Sequence, residues 1–124
     1  MTEEQSKNRT KQFALRVIKL SSSLPRSREG EVLGRQILRS GTSVEANYRS
    51  ACRARSTPDF ISKLGIVLEE AGETLYWLEI ITESNLVPAK RLSSLMREAD
   101  ELVAIFVASV VTSKNNNRKP IKNQ

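Results

Sequence analysis

The sequence predicts an all-α protein, an antiparallel up-down-up-down four-helix bundle. Apolar residues recur every three or four positions along most of the chain, which is the spacing of one face of a helix. No stretch shows sustained alternation of apolar and polar residues, and no Asn-Gly or Asp-Gly hairpin turn is present. Breaks in the helical spacing divide the chain into four helices with short connections, as in an up-down-up-down bundle.

The first helix carries an apolar stripe that ends where the segment LPRSR introduces Pro25. This stripe consists of Phe13, Val17, Leu20 and Leu24, with Ala14 and Ile18 beside it. Ser27 is predicted to cap helix two, because a serine oxygen can accept a hydrogen bond from a free N–H group of the first turn. Glu29 and Glu31 follow, where the helix dipole favours acidic side chains.

Helix two contains the segment SGTSVEAN, which could be taken for a phosphate-binding loop. The apolar and small residues keep helical phase through this segment, within about 80° of one another around the helix. They are Leu33, Ile37, Gly41, Val44, Tyr48 and Ala51. A phosphate loop would need a preceding strand or a Gly-Lys-Ser/Thr ending, and the sequence has neither. We therefore expect helix, with Ser40 and Gly41 allowing a neighbouring helix to approach closely.

Helix three is predicted to begin at the segment STPDF, with Thr57 as its cap and Pro58 in its first turn. It is expected to end near Asn85, which suits the left-handed conformation. Pro88 is then expected to open helix four. The core stripe of helix three contains Phe60, Leu64, Val67, Leu68, Ala71, Leu75 and Leu78. That of helix four contains Leu92, Leu95, Met96, Ala99, Leu102, Val103, Phe106 and Val110.

Residues 1–113 are predicted to form this bundle, and residues 114–124, KNNNRKPIKNQ, a disordered basic tail. The chain has one cysteine, Cys52, and no histidine, which excludes an internal disulfide and the common zinc ligand sets. It has no apolar run long enough to span a membrane, and its first residues are too polar for a signal peptide. We expect a cytoplasmic protein without membrane contact.

The net charge of +6 is unevenly distributed along the chain. Residues 1–57 contain 12 Lys and Arg against 5 Asp and Glu, whereas residues 58–113 contain 4 against 9. Five arginines of helix two lie within about 80° of one another, opposite its apolar stripe, and extend over about 37 Å. This arginine face consists of Arg28, Arg35, Arg39, Arg49 and Arg53. Arginine forms forked hydrogen bonds with phosphate, so the face is predicted to bind RNA or DNA.

A different interpretation assigns the same arginines to contacts between subunits. The back of helix three combines acidic and apolar residues, and helix four is apolar nearly all round from Leu102 to Val111. A monomer would expose both surfaces, which predicts self-association, and a head-to-tail contact that closes produces a ring. The predicted interface residues are Ile66, Glu69, Glu73, Trp77, Ile80, Ala104, Ile105, Ala108 and Val111. Acidic residues of helix three would then pair with a neighbour's arginines.

No enzymatic site is predicted. Di-metal sites in bundles use inward-facing Glu together with His, whereas Glu69, Glu70 and Glu73 lie away from the core stripe and His is absent. Cys52 has no histidine to activate it, which favours a packing role. We therefore expect no catalytic residue, metal or cofactor.

Asn47, at the border of the core stripe, is expected to form hydrogen bonds with groups on helix three.

The segment RQILRSGTSVEANYRSACRARSTPDFISKLGIVLEEAGETLYWLEII resembles the bacterial 23S rRNA intervening-sequence protein family. The resemblance extends from Phe13 to Val111. It is densest at Ser43-Val44, Ala46-Asn47-Tyr48, Asp59-Phe60, Lys63-Leu64 and Glu70-Ala71. Glu45 departs from the pattern, which has a small residue at this position.

This resemblance implies a homopentameric ring of four-helix bundles with no established catalytic residues. Some members are encoded within intervening sequences of 23S rRNA genes, and a related protein is the accessory variability determinant of diversity-generating retroelements. The resulting hypothesis is a nonenzymatic, RNA-associated protein that acts with an RNA-processing partner or a reverse transcriptase. The alternative is a homo-oligomeric scaffold, or an adaptor for a protein partner, whose arginines serve subunit contacts.

Overall fold

The computed structural model describes residues 1–118. In this range it contains four α-helices and no strand: α1 (Glu3–Ser23), α2 (Arg28–Cys52), α3 (Thr57–Glu83) and α4 (Ala89–Arg118). The prediction of an all-α protein is confirmed.

The helices begin and end close to the predicted positions. Ser27 caps α2, with its hydroxyl accepting a hydrogen bond from the Gly30 N–H at 3.0 Å. The predicted cap of α3 is wrong by one residue, because Ser56 accepts the hydrogen bond from Asp59 N–H and Thr57 is already helical. Asn85 has a φ of 60°, as expected for the residue that turns the chain beyond α3.

The four helices surround one hydrophobic core. α2 packs closely against both α1 and α3, α3 also packs against α4, and α1 approaches α4 at only a few positions. Each helix contributes large buried side chains, among them Phe13, Ile37, Leu64, Leu78 and Phe106. The core stripes read from the sequence therefore meet at a common centre.

The segment SGTSVEAN lies inside α2, which continues unbroken through Gly41. A Cβ atom added to Gly41 would lie 2.6 Å from Cγ1 of Val17 on α1, so only glycine allows the two helices to come this close. On the other side of α2, the hydroxyl of Thr74 on α3 donates to the buried hydroxyl of Ser40 at 2.9 Å. The small residues of this segment thus allow α2 to pack between two neighbours.

α4 extends through Arg118, five residues beyond the predicted end of the bundle at residue 113. The sequence contains no Gly or Pro between Lys114 and Arg118, so nothing forces the helix to stop earlier. The predicted disordered tail is therefore helical over residues 114–118. The remaining part of that prediction, residues 119–124, lies outside the described residues.

Candidate nucleic-acid interface and subunit contact surface

All five residues of the arginine face are exposed, four of them on α2 and Arg53 as the residue that follows its last turn. Two of the five are engaged by carboxylates. Arg39 forms ion pairs with Glu70, at 3.2 Å, and with Glu73, both on α3. Arg49 pairs with Glu45 one turn earlier on α2, at 3.1 Å. The position that departs from the family pattern thus supplies a partner for an arginine.

The other three arginines of this face, Arg28, Arg35 and Arg53, form no ion pair among residues 1–118. Arg26, in the connection before α2, is also exposed and has no carboxylate partner within the described range. Uncompensated guanidinium groups attract anions most strongly, because their field is not cancelled locally. Arg28, Arg35 and Arg53 therefore form the part of the arginine face that is available to an anion, whereas Arg39 and Arg49 are already paired.

Further cations lie where the chain passes from α2 to α3. Arg55 follows Arg53 in this connection, and its backbone N–H donates to the Asp59 carboxylate at 3.2 Å. This hydrogen bond, assisted by Lys63, lowers the pKa of Asp59. The start of α3 also borders a shallow depression lined by Pro58, Ile61, Lys114, Asn117 and Arg118. The last turns of α4 therefore place two more cations near the first turn of α3.

The residues predicted for the subunit interface are mostly accessible in the single chain. Ile66 is 42% exposed and Val111 is 52% exposed, both high values for aliphatic side chains. Glu69, Ala104 and Ala108 are also exposed, whereas Glu73, Trp77, Ile80 and Ile105 are half-buried. Val107, which the prediction did not include, is also 44% exposed. Its signal in the sequence is its place within the uncharged run of residues 102–113.

Two of the acidic residues on α3, Glu70 and Glu73, pair with Arg39 of the same chain. Glu73 accepts hydrogen bonds from Arg39 and from the Trp77 indole N–H, the latter at 3.2 Å. The Arg39 guanidinium, with the indole as a lesser cause, lowers the pKa of Glu73. Glu70 and Glu73 are half-buried beside Arg39 and are not part of the hydrophobic core. Because α2 packs directly beside α3, Arg39 reaches both carboxylates within one chain.

The prediction for Asn47 is wrong in its partner. Its side-chain amide donates to the Ser43 carbonyl, one turn earlier on α2, at 2.8 Å. The side chain is half-buried, as its place at the border of the stripe suggested, but its hydrogen bond stays within its own helix. An Asn side chain on a helix can donate to the carbonyl of the preceding turn, and here this local bond takes the place of the expected partner on α3.

Cys52 is half-buried near the end of α2, with Tyr48 and Glu3 beside it. Burial, with a smaller effect of Glu3, raises the pKa of the Cys52 thiol, and burial raises the pKa of Tyr48 to about 12. Both groups are therefore neutral at physiological pH, and a neutral thiol is a weak nucleophile.

Within residues 1–118, no group of three or more acidic or cysteine side chains is arranged to hold a metal ion.

No helix in the described part of the chain combines the length and apolar character needed to cross a membrane. The fold and the surfaces described above define a small all-helical protein with a cationic face on its second helix. The chain belongs to the 23S rRNA-intervening sequence protein family, whose model matches residues 3–108.

A solved structure of similar fold is a protein of unknown function from the S23 ribosomal protein family of Bacteroides thetaiotaomicron VPI-5482. It is 35% identical to this chain, with a TM-score of 0.82, and the match covers 89% of this chain and 98% of the other. None of the curated proteins compared with this chain matches it significantly.

Proposed function

We propose that this protein is a nonenzymatic RNA-binding protein that contacts structured RNA through the arginine face of α2. The observation that carries this proposal is a set of three exposed arginines that have no carboxylate partner within residues 1–118, Arg28, Arg35 and Arg53. At about 1.5 Å per residue, the first and last of them are about 37 Å apart along the helix. Duplex nucleic acid presents phosphates along comparable lengths, so several contacts can form together.

Two further features support an anionic macromolecule as the ligand. The net charge is +6, which raises the encounter rate with polyanions and makes binding depend on salt. Arg55, Lys114 and Arg118 add positive charge around the start of α3. In the part of the chain that the structure describes, no exposed group of aromatic side chains accompanies the arginine face, which favours duplex or folded RNA over unpaired bases. The family name refers to an intervening sequence of 23S rRNA, which makes RNA a more suitable first ligand than DNA.

The experiment compares binding of a stem-loop RNA and a DNA duplex to the full chain at rising salt, between about 50 and about 200 mM. The test variant is Arg28→Gln/Arg35→Gln/Arg53→Gln. The matched control is Arg39→Gln/Arg49→Gln, which removes two arginines of the same face that are already engaged by carboxylates. The slope of the logarithm of the binding constant against the logarithm of the salt concentration reports the number of phosphate contacts. We expect the triple variant to reduce the magnitude of this slope by about three, roughly one per lost contact, and the control to reduce it clearly less.

Two results would contradict the proposal. Absence of RNA binding by the wild-type chain even at low salt would exclude nucleic acid as the ligand. Equal affinities and equal salt slopes for the triple variant and the wild type would exclude the arginine face. Circular dichroism of each variant verifies that the helices are retained, as expected for substitutions of exposed side chains.

The alternative function is that of a homo-oligomeric scaffold, and the exposed apolar residues on α3 and α4 favour it. Ile66, Tyr76, Val107 and Val111 are each at least 42% exposed. We infer a closed ring, in which an apolar surface on one subunit is covered by its neighbour. A pentamer is the form that the family resemblance implies. Because Arg39 is already paired within its own chain, the subunits of such a scaffold would be held together mainly by apolar contacts.

The antiparallel arrangement of the helices is part of this proposal. Contacts between α1 and α2 support it, since Gly41 faces Val17 whereas Gly34, earlier on α2, faces Leu24, later on α1. The α1–α4 contacts follow the same rule: Arg9 reaches Glu98, and Arg16 reaches Ser94. In each pair of helices, residues later on one helix contact residues earlier on the other, as antiparallel neighbours do.

A further inference from the structure

A cleft lies between α1 and α4, near the start of α4. The two helices approach each other at only a few positions, and polar side chains bridge the space between them. Arg9 binds Glu98, and Arg16 donates to the Ser94 hydroxyl at 2.9 Å. Beyond Arg16, the helices and the connection before α4 enclose about 300 Å³. This volume is at the lower end of the range typical of small-molecule sites.

The floor of this cleft is apolar. It is formed by Leu20 of α1, Val87 of the connection, and Leu92 and Leu95 of α4. All four side chains are at most 8% exposed, so they are held in place by the core beneath them. The small part of this floor that remains accessible is apolar, so it favours contact with an aliphatic group over contact with a polar one.

The rim of the cleft is cationic. Arg16 and Lys19 of α1 and Arg91 of α4 surround the floor, Ser23 completes the lining, and no acidic side chain takes part. None of the three cations forms an ion pair with any residue in the range 1–118. Their fields reinforce one another, which favours an anion at the rim. Lys19 and Arg91 contribute most of this field, because part of the field of Arg16 acts on Glu98.

The first turn of α4 adds to this positive field. The first turns of α1, α2 and α3 each contain acidic residues, which complement the positive end of the helix dipole. The first turn of α4 contains no acid and instead has Lys90 and Arg91. Cations at this end of a helix are unfavourable on their own, and a bound anion would relieve the repulsion.

We propose that this cleft binds a small amphipathic anion, specifically an aliphatic carboxylate of medium chain length. Its carboxylate contacts Arg16, Lys19 and Arg91, and its chain covers the floor formed by Leu20, Val87, Leu92 and Leu95. A nucleic-acid backbone offers phosphates to the rim but no aliphatic group to the floor. No lining residue belongs to α2, so this site is separate from the arginine face and does not depend on the proposed RNA binding.

The experiment follows the methyl resonances of the full chain by NMR during titration with octanoate. Octanol provides the chain without the charge, and inorganic phosphate provides charge without the chain. We expect octanoate to shift the methyl signals of Leu20, Val87, Leu92 and Leu95 in a saturable way, and the two control compounds to bind more weakly. Lys19→Gln/Arg91→Gln should weaken octanoate binding about tenfold, since two exposed charge contacts are lost.

Arg26→Gln/Arg28→Gln is the matched control, because it removes two exposed cations that do not line the cleft. Octanoate affinity should stay unchanged in this variant. The proposal is overturned if octanol binds as tightly as octanoate, or if both double variants reduce octanoate affinity equally. It is also overturned if octanoate leaves the floor methyl groups unshifted, or if a stem-loop RNA shifts them and displaces octanoate. If the wild-type chain binds octanoate in this way but binds no RNA, the cleft proposal is supported and only the function proposed for α2 is contradicted.

Discussion

Two glycines show how the environment of a single residue determines the effect of the same substitution. Gly41 faces Val17, with no space for a Cβ atom, whereas Gly65 on α3 has no atom within 4 Å of an added Cβ. Alanine is favoured over glycine in a helix by about 1 kcal/mol, so the sign of the effect depends on whether the added methyl group fits.

We expect Gly41→Ala to lower the free energy of unfolding by about 1–3 kcal/mol, the usual cost of overpacking a core. Gly65→Ala should raise it by about 0.5–1 kcal/mol. Urea denaturation of both variants measures the difference. Equal stabilisation by the two substitutions would mean that α1 and α2 are not in close contact at Gly41.

At the scale of the helix, the beginning of α3 depends on which of two neighbouring hydroxyl residues accepts the first-turn N–H. Ser56 has extended backbone angles and accepts from Asp59 at 3.2 Å, whereas Thr57 belongs to the helix. We expect Ser56→Ala to destabilise the protein by about 1 kcal/mol and Thr57→Ala to change stability by less than about 0.5 kcal/mol. Thermal unfolding of the two variants tests this, and a larger effect at Thr57 would show that the helix begins one residue later.

The contact between α1 and α4 depends on an ion pair that responds to pH. The Arg9 guanidinium donates to both carboxylate oxygens of Glu98, at 2.8 and 2.6 Å, and the Glu98 side chain is 17% exposed. This contact, opposed by burial, lowers the pKa of Glu98 below its ordinary value of 4.5. A carboxylate with a lowered folded-state pKa stabilises the fold above the ordinary pKa and loses this contribution as the pH falls through the lowered value.

We expect Glu98→Gln to lower the unfolding free energy by about 1 kcal/mol at pH 7. The difference from the wild type should shrink as the pH falls below about 4.5. Glu101→Gln is the control, because Glu101 contacts the same Arg9 but its side chain is 66% exposed. A difference at Glu98 that does not vary with pH would show that the ion pair does not contribute to stability.

At the scale of the whole molecule, the exposed apolar side chains of α3 and α4 predict self-association. A lone chain has a mass of 13.9 kDa, and sedimentation at micromolar concentration should give a multiple of this value. Val111→Glu, which adds a charge to the predicted interface, should shift the population toward the monomer by at least about tenfold in dissociation constant. Ser22→Glu adds the same charge to an exposed position on α1 and serves as control.

A monomeric wild-type chain would contradict the assembly and leave the exposed valines of α4 unexplained. Dissociation by Ser22→Glu but not by Val111→Glu would place the contact on α1 instead. Unchanged thermal unfolding of monomeric Val111→Glu would separate loss of assembly from loss of folding, because Val111 is not part of the core.

The sequence by itself determined the number of helices, their approximate ends, and which side of each helix is apolar. These properties depend on residues close together in the chain, since the helical repeat fixes the angular position of every side chain about its own axis. The same rule placed Gly41 and Ser40 within a helix and the five arginines on one exposed face. The cap of α3 was misplaced by one residue because Ser56 and Thr57 are chemically equivalent candidates.

Only the tertiary structure decided which of these side chains have partners. Arg39 is paired and Arg35 is not, although both lie on the same face of α2, because α3 brings Glu70 and Glu73 close to Arg39 alone. The cleft between α1 and α4 likewise joins residues that are more than 60 positions apart in the chain. Helical periodicity gives the angular positions of side chains about their own helix only. Ion pairs and clefts between helices depend also on how two helices lie relative to each other. That relative position is set by packing across the shared core.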